Sequence, residues 1–456
     1  MDRERSVEHA VGRLDEARLR ELVVSAAHAH DDVARAVRLA GADKAERLAL
    51  LRTAVDSGLR TRRYLDYWQS SAWAREAQPV VDSLAAEVRS APTRELVELL
   101  QRAIGHVVKV ILRADDSNGM IGDLASRLLG LHVAACAAGV AEPVRLARWL
   151  VRFGFEDQDF FTVDPVEYAA ALGTIGMAEF RREANKRSGD SDTFAATYTA
   201  QRLAVLDDDI ARVIELHGGD LSGAYQYGRV AEAMLEMGHV DDALDWARRG
   251  IAATNSWQTA KLCDLAADIL TDRGDHTGVL DLRRAQHQRT PTAGTYALLK
   301  AAAIKANGWD AERDEARVAL GSRDRGGLVD ALLADGDNDG AWTLAITGED
   351  WDPGESRWLQ LAKTRDATDP AAAMNVYLRV ADATLGTADR RAYSAAVRHL
   401  KAARRAAGAA GQQDAFATHI GALRQQHRRR PSLLAMLDKA SLTGDTNASN
   451  SSAAHA

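Results

Sequence analysis

The chain of 456 residues has two cysteines, eight prolines and 5% aromatic residues, and each shortage removes a class of protein. Two cysteines, Cys136 and Cys263, are too few for a disulfide framework or a cysteine-rich zinc site, and such usage predicts a reducing cytoplasm. Few prolines, with alanine at about a fifth of the chain, predict helix, the state in which alanine costs least to order, and argue against a large β-sheet. No apolar run reaches the roughly 20 residues a bilayer needs. The least polar stretch, 128–144, contains His132 and Glu142, so no membrane span is expected. The first 20 residues mix charges of both signs without an apolar segment, so no secretory signal is expected. A net charge of −7 predicts no overall attraction to polyanions. There is no phosphate-binding Gly-x-x-x-x-Gly-Lys-Ser/Thr loop, no strand followed by Gly-x-Gly-x-x-Gly, no His-Glu-x-x-His and no Gly-x-Ser-x-Gly. No cofactor and no bound metal is expected, and common cofactor enzymes are disfavoured.

What is present is helical period. Leu19, Leu22, Val23 and Ala26 share one face, Gly41 and Asp43 break and recap the chain, and Leu48, Leu51 and Val55 follow. Helices over 96–112 and 121–138 flank the start signal Asp115-Asp116-Ser117-Asn118-Gly119. Residues 153–161 form an aromatic-acidic elbow, Asp164-Pro165 opens a helix, and the loop-like stretch 185–192 marks a boundary.

From about residue 220 the chain repeats itself. Turn glycines Gly238, Gly274, Gly308 and Gly336 stand 36, 34 and 28 residues apart, the period of stacked helical hairpins. The segment from Tyr227 through Ala231 and Gly238 to Ala243 resembles a tetratricopeptide repeat, with small residues where two helices approach. The next unit keeps Ala267, Gly274 and Pro291, but Val279 and Arg283 replace the small and aromatic residues of that pattern.

Several groups bear on chemistry. Asp335-Gly-Asp-Asn-Asp-Gly340 has the opening ligands of a calcium loop, yet Ile346 occupies the place of its bidentate Glu, so a capped helix turn is expected. Asp115, Asp116 and Ser117 with His132 and Cys136 combine carboxylate, hydroxyl, imidazole and thiol. Helix capping and a semi-buried His/Cys pair are the expected roles, and an enzyme or metal site is the alternative. Arg60, Arg62 and Arg63 interleave with Tyr64, Tyr67 and Trp68 as in single-strand binding surfaces. The four-residue spacing of Tyr64 and Trp68 predicts core packing instead. Residues 389–439 carry 11 Lys/Arg, among them Arg398, Lys401, Arg404, Arg405, Arg424, Arg428, Arg429 and Arg430, against Asp389, Asp414 and Asp438, a local charge of +8. Such asymmetry marks either a phosphate-binding face or a surface for an acidic partner.

Arg62 to Cys136, with Tyr64-Leu-Asp-Tyr, the 115–119 turn and Leu131-His-Val-Ala-Ala-Cys136, resembles the helical region of bacterial SWIM zinc-finger proteins and of their relatives without a finger. The run Tyr393-Ser-Ala-Ala-Val-Arg-His-Leu, Phe416 and the segment 423–438 are similar to the end of those proteins. The Cys-x-Cys and Cys-x-His pairs of the finger are missing, so the resemblance implies a helical scaffold without the zinc-dependent binding.

These readings predict an all-α fold, an α-solenoid of antiparallel helix pairs, HEAT-like over residues 1–190 and TPR-like over 191–440, with a disordered tail at 441–456. The expected role is a non-catalytic cytoplasmic scaffold or adaptor holding a protein or peptide in a groove; Tyr225, Tyr227, Trp257 and Trp309 are its candidate lining, with core packing the favoured role for each. The alternative is a nucleic-acid-associated factor using Arg424, Arg428, Arg429 and Arg430.

Overall fold

A computed structural model describes residues 9–189, 193–347 and 351–443; the tail expected to be disordered lies, from residue 444, outside the described residues. The fold is all-α. Among the described residues no strand forms, and extended pairing is limited to one parallel bridge between Leu65 and Ala114. The chain divides into two compact units, Met1–Trp246 and Ala247–Ala456, so the boundary expected near residue 190 falls inside the first.

Within each unit, helices that follow one another in sequence pack together. In the first, Arg94–Ile111 packs on Met120–Ala137, and Pro143–Arg152 on Ala169–Ser188; in the second, Pro370–Thr384 packs between Glu355–Arg365 and Arg390–Ala410. Such next-neighbour packing is that of an α-solenoid. Polar starts punctuate the array: Asp43, Asp66, Thr93, Asp275, Asp337 and Asp389 each cap a helix by accepting from the third amide of its first turn.

The first unit's core joins Leu51, Leu84, Leu100, Ile104, Leu128, Leu150 and Phe180. In the second unit, Val329, Leu361, Ala381, Leu400, Ile420 and Leu437 form one core, and Leu280, Leu299 and Leu320 another. Each fully buried leucine contributes about 1.5–3 kcal/mol relative to exposure. By length and composition the helix Met120–Ala137 is apolar enough to cross a membrane. Here Ile121, Leu124, Ala125, Leu128 and Ala135 are buried, and the helix packs on Tyr67–Ser90 and Arg94–Ile111 as a core element.

Close approach sets the small residues. A Cβ at Gly176 would lie 2.9 Å from both Cβ and the carbonyl oxygen of Pro143, where two helices meet. Of the four turn glycines, Gly238, Gly274 and Gly336 take left-handed φ values of 83°, 71° and 79°. At the fourth turn Asn307 takes that conformation instead, at φ 56°, and Gly308 does not; asparagine tolerates it because its short amide is little hindered there.

Candidate functional site

The group 115–136 separates into two structural devices. Asp116 accepts from the amides of Ile121 at 2.9 Å and Gly122 at 2.8 Å, closing the start of the helix Met120–Ala137. Asp115 accepts from the backbone and hydroxyl of Ser117, and Asn118 donates to the Ser71 hydroxyl at 2.5 Å. Three to four turns further along, His132 is wholly buried. Gln101 Nε2 donates to its Nε2 at 3.1 Å, which leaves the proton on Nδ1 to be donated to the Tyr168 hydroxyl at 2.9 Å. Cys136 Sγ lies 3.7 Å from Nε2, and Trp149 packs on the imidazole with ring centres 4.5 Å apart.

Burial lowers the imidazole to about 3 and raises the Cys136 thiol to about 12. An imidazole of such low basicity does not take the proton of a thiol held that high, so the pair lacks the thiolate that covalent catalysis uses. Among the described residues the two devices share no hydrogen-bond partner. Among the described residues, no group of three or more His, Cys, Asp or Glu is placed to hold a metal ion.

The calcium-like loop is filled by cations from the protein itself. Asp335 accepts from Lys300, from the Tyr296 hydroxyl at 2.7 Å and from Arg317 at 3.0 Å. Asp337 caps Gly340 and pairs with Arg317, and Asp339 pairs with Arg365. Burial raises the Asp335 pKa, but the bonds from Lys300, Tyr296 and Arg317 outweigh this and hold it below the usual carboxylate range. The capped turn expected from sequence is what forms.

The aromatic-acidic elbow becomes a pocket. Gln158 ties it together: Nε2 donates to the carbonyls of Phe153 and Phe161, and Oε1 accepts from the amides of Phe160 and Phe161. The chain enters through a single widened π-turn, Phe153–Asp157, a distortion that often accompanies functional sites. Five of the seven phenylalanines in the chain, Phe155, Phe160, Phe161, Phe180 and Phe194, line the resulting cavity of about 360 Å³ with Tyr198. At its rim Arg187 is held by Glu156, at 2.5 Å, and by Glu183. Sequence reading marked the elbow without nominating it, because the Ala169–Ser188 and Phe194–Leu206 helices that complete the cup are distant in sequence.

The basic region sorts differently from expectation. Arg424 binds the Leu442 carbonyl and Asp438, and Arg430 binds the Leu385 carbonyl at 2.6 Å. Both brace the fold, as does Arg404 through the carbonyls of Ala440 and Ser441. Arg428 and Arg429 remain exposed. A concavity of about 480 Å³ instead gathers Lys363, Arg398, Lys401 and Arg405 with Ser394, Tyr377 and His399. Lys363 was not legible as a member because it comes from the helix Glu355–Arg365.

The expected groove residues play unlike roles. Tyr225 and Trp257 are exposed, at 59% and 74%. Tyr227 packs on Trp246, and Trp309 packs edge-on against Tyr296. The expectation that Tyr64 and Trp68 pack in the core is overturned. They are 69% and 78% exposed, and Tyr67 meets Trp68 edge-on on the surface. Leu65 enters the core instead, held by the bridge to Ala114, and the 59–66 segment is not helical, so four-residue spacing does not put both rings on a buried face.

Comparison with known proteins adds little. No family model matches the chain, and no curated protein matches it. Among solved structures the chain is similar to a circular tandem repeat protein with novel repeat topology and enhanced subunit contact surfaces. The identity is 15%, the TM-score 0.20, and the match covers 94% of this chain and 100% of that one.

Proposed function

We propose that the chain is a non-catalytic cytoplasmic scaffold whose first unit takes an apolar segment of a partner protein into the phenylalanine-lined pocket. The observation that carries this reading is the gathering of five of seven phenylalanines around one cavity open to solvent. Its volume lies at the small end of ligand sites, about 300–1,000 Å³, which suits one or two side chains of a peptide. Phe160 and Phe194 are exposed at its mouth, an arrangement that water opposes and a partner relieves. The exposed Tyr64, Tyr67 and Trp68 beside Arg60, Arg62 and Arg63 add support, because these residue types dominate protein interfaces. The reactive side chains singled out in the sequence are spent on caps and core, which supports binding over catalysis. Two buried, unbridged cysteines fit a reducing compartment.

The test is selection of peptides from a display library against the wild-type chain, with a Phe160→Asp/Phe194→Asp variant as counter-target. Enriched peptides are expected to carry an aromatic or aliphatic anchor and to lose at least about tenfold in affinity, some 1.4 kcal/mol, on the variant. Peptides that bind both proteins equally would overturn the reading.

A further inference from the structure

The helix Arg390–Ala410 is unlike the rest of the chain. Its 21 residues include Arg390, Arg391, Arg398, Lys401, Arg404 and Arg405, and no acidic residue occurs between Asp389 and Asp414. Asp389 is itself spent as the N-cap, accepting from Ala392 at 2.8 Å. Elsewhere, many helical arginines have carboxylate partners, some three or four residues away, as Arg94 with Glu98, Arg182 with Glu179, Arg187 with Glu183, Arg212 with Glu215 and Arg284 with Asp281, and others on another helix, as Arg102 with Asp56 and Arg357 with Asp330. Such pairs stabilise a helix by a few tenths of a kcal/mol, and like charges at the same spacing cost as much. A helix selected for stability alone would follow the pattern of its neighbours.

Burial of one face orients the cations. Tyr393, Ala396, Val397, Leu400, Ala403 and Ala407 are buried, so Arg391, Ser394, Arg398, Lys401 and Arg405, spaced 3, 4, 3 and 4 residues apart, form an exposed stripe. At 1.5 Å per residue the stripe runs about 21 Å. Lys363 joins Arg398, Lys401 and Arg405 around the concavity described above. None of Lys363, Arg391, Arg398, Lys401 and Arg405 makes a side-chain hydrogen bond or ion pair among the described residues. Two carboxylates border this region, each facing an uncharged group of its own: Glu355 lies 3.9 Å from His399, and Asp366 accepts from Tyr377 at 3.3 Å.

We infer that this stripe, with Lys363, is a binding face for the phosphate backbone of a nucleic-acid duplex. A single phosphate would use only the cations around the concavity, whereas the stripe runs on past it to Arg391, as phosphates succeed one another along a strand. Single strands are held by rings that stack on bases, and the stripe presents no exposed ring; the two rings at the concavity, Tyr377 and His399, are buried. Backbone contact without base-edge contact gives binding that is independent of sequence. The inference is independent of the phenylalanine pocket, which belongs to the other unit.

The experiment is fluorescence anisotropy of the full chain with a labelled 20-base-pair duplex across a salt series, against two other probes, a single strand of equal length and a polyglutamate peptide of equal charge. Five phosphate contacts predict a log–log salt slope of about −4.5, and Arg398→Ala/Lys401→Ala/Arg405→Ala should reduce its magnitude by about 2.7. The affinity of that variant should fall at least tenfold while its melting curve stays unchanged, since all three side chains are exposed. A scrambled duplex is expected to bind equally well. The inference is overturned if the duplex does not bind at low salt, if the single strand or polyglutamate binds as tightly, or if the triple variant keeps the wild-type slope. It is equally overturned if binding is lost in Arg428→Ala/Arg429→Ala and retained in the triple variant.

Discussion

His132 donates through Nδ1 to the Tyr168 hydroxyl at 2.9 Å, inside a core where neither ring meets solvent. That bond joins the helix Met120–Ala137 to the start of the helix Ala169–Ser188, 36 residues on. Burial lowers the His132 pKa from 6.5 to about 3, while the unfolded chain titrates it near its ordinary value. Between those limits the unfolded state binds the extra proton. The stability this histidine confers is complete above pH 6.5 and is lost as pH falls toward 3. Urea midpoints should therefore be lower at pH 5 than at pH 7.5. His132→Gln should lower the midpoint at pH 7.5 and flatten the dependence without abolishing it, because burial also lowers His217, to about 4.

Asp116 gives a second test. Its carboxylate accepts from two amides that the helix itself leaves unpaired. Asp116→Ala should cost about 1–2 kcal/mol in chemical denaturation, as loss of a strong N-cap does. A chelator should leave the wild-type curve in place; a chelator-sensitive transition would return Asp115 and Asp116 to a metal-binding role.

Asp335 distinguishes a salt-bridge network from a calcium loop. Asp335→Ala leaves Lys300 and Arg317 without their shared counter-charge. The cost should be about 2–3 kcal/mol, below that of a fully buried pair because both cations keep some solvent. Added calcium should not raise the melting temperature. A calcium-dependent rise would show that the metal displaces Lys300 and Arg317.

Two glycines should respond in opposite directions. Gly176→Ala drives a methyl into Pro143 at 2.9 Å and should destabilise by about 1–3 kcal/mol, the range for overpacking. Gly105→Ala, inside the helix Arg94–Ile111 with nothing within 4 Å of the added atom, should stabilise by about 0.5–1 kcal/mol through lower unfolded-state entropy. Thermal melts of the two variants side by side check both signs.

Composition and period determined the all-α architecture. Alanine, leucine and arginine favour helix locally, and the apolar spacing of segments such as 96–112 and 121–138 came within two residues of the helices Arg94–Ile111 and Met120–Ala137. Capping was legible for the same reason: Asp43 and Asp337 act within three residues of themselves. Surface assignment was not legible. Tyr64 and Trp68 have the spacing of a buried pair, but the non-helical segment between Leu59 and Asp66 turns them outward. Only the tertiary structure spent Arg424 and Arg430 on backbone carbonyls, brought Lys363 to Arg398, and closed Phe180 and Phe194 over the 153–161 elbow. Helical period acts over a few residues and can be read along the chain, whereas these sites join groups 18 to 45 positions apart, and only the packing of one helix on another decides which of them meet.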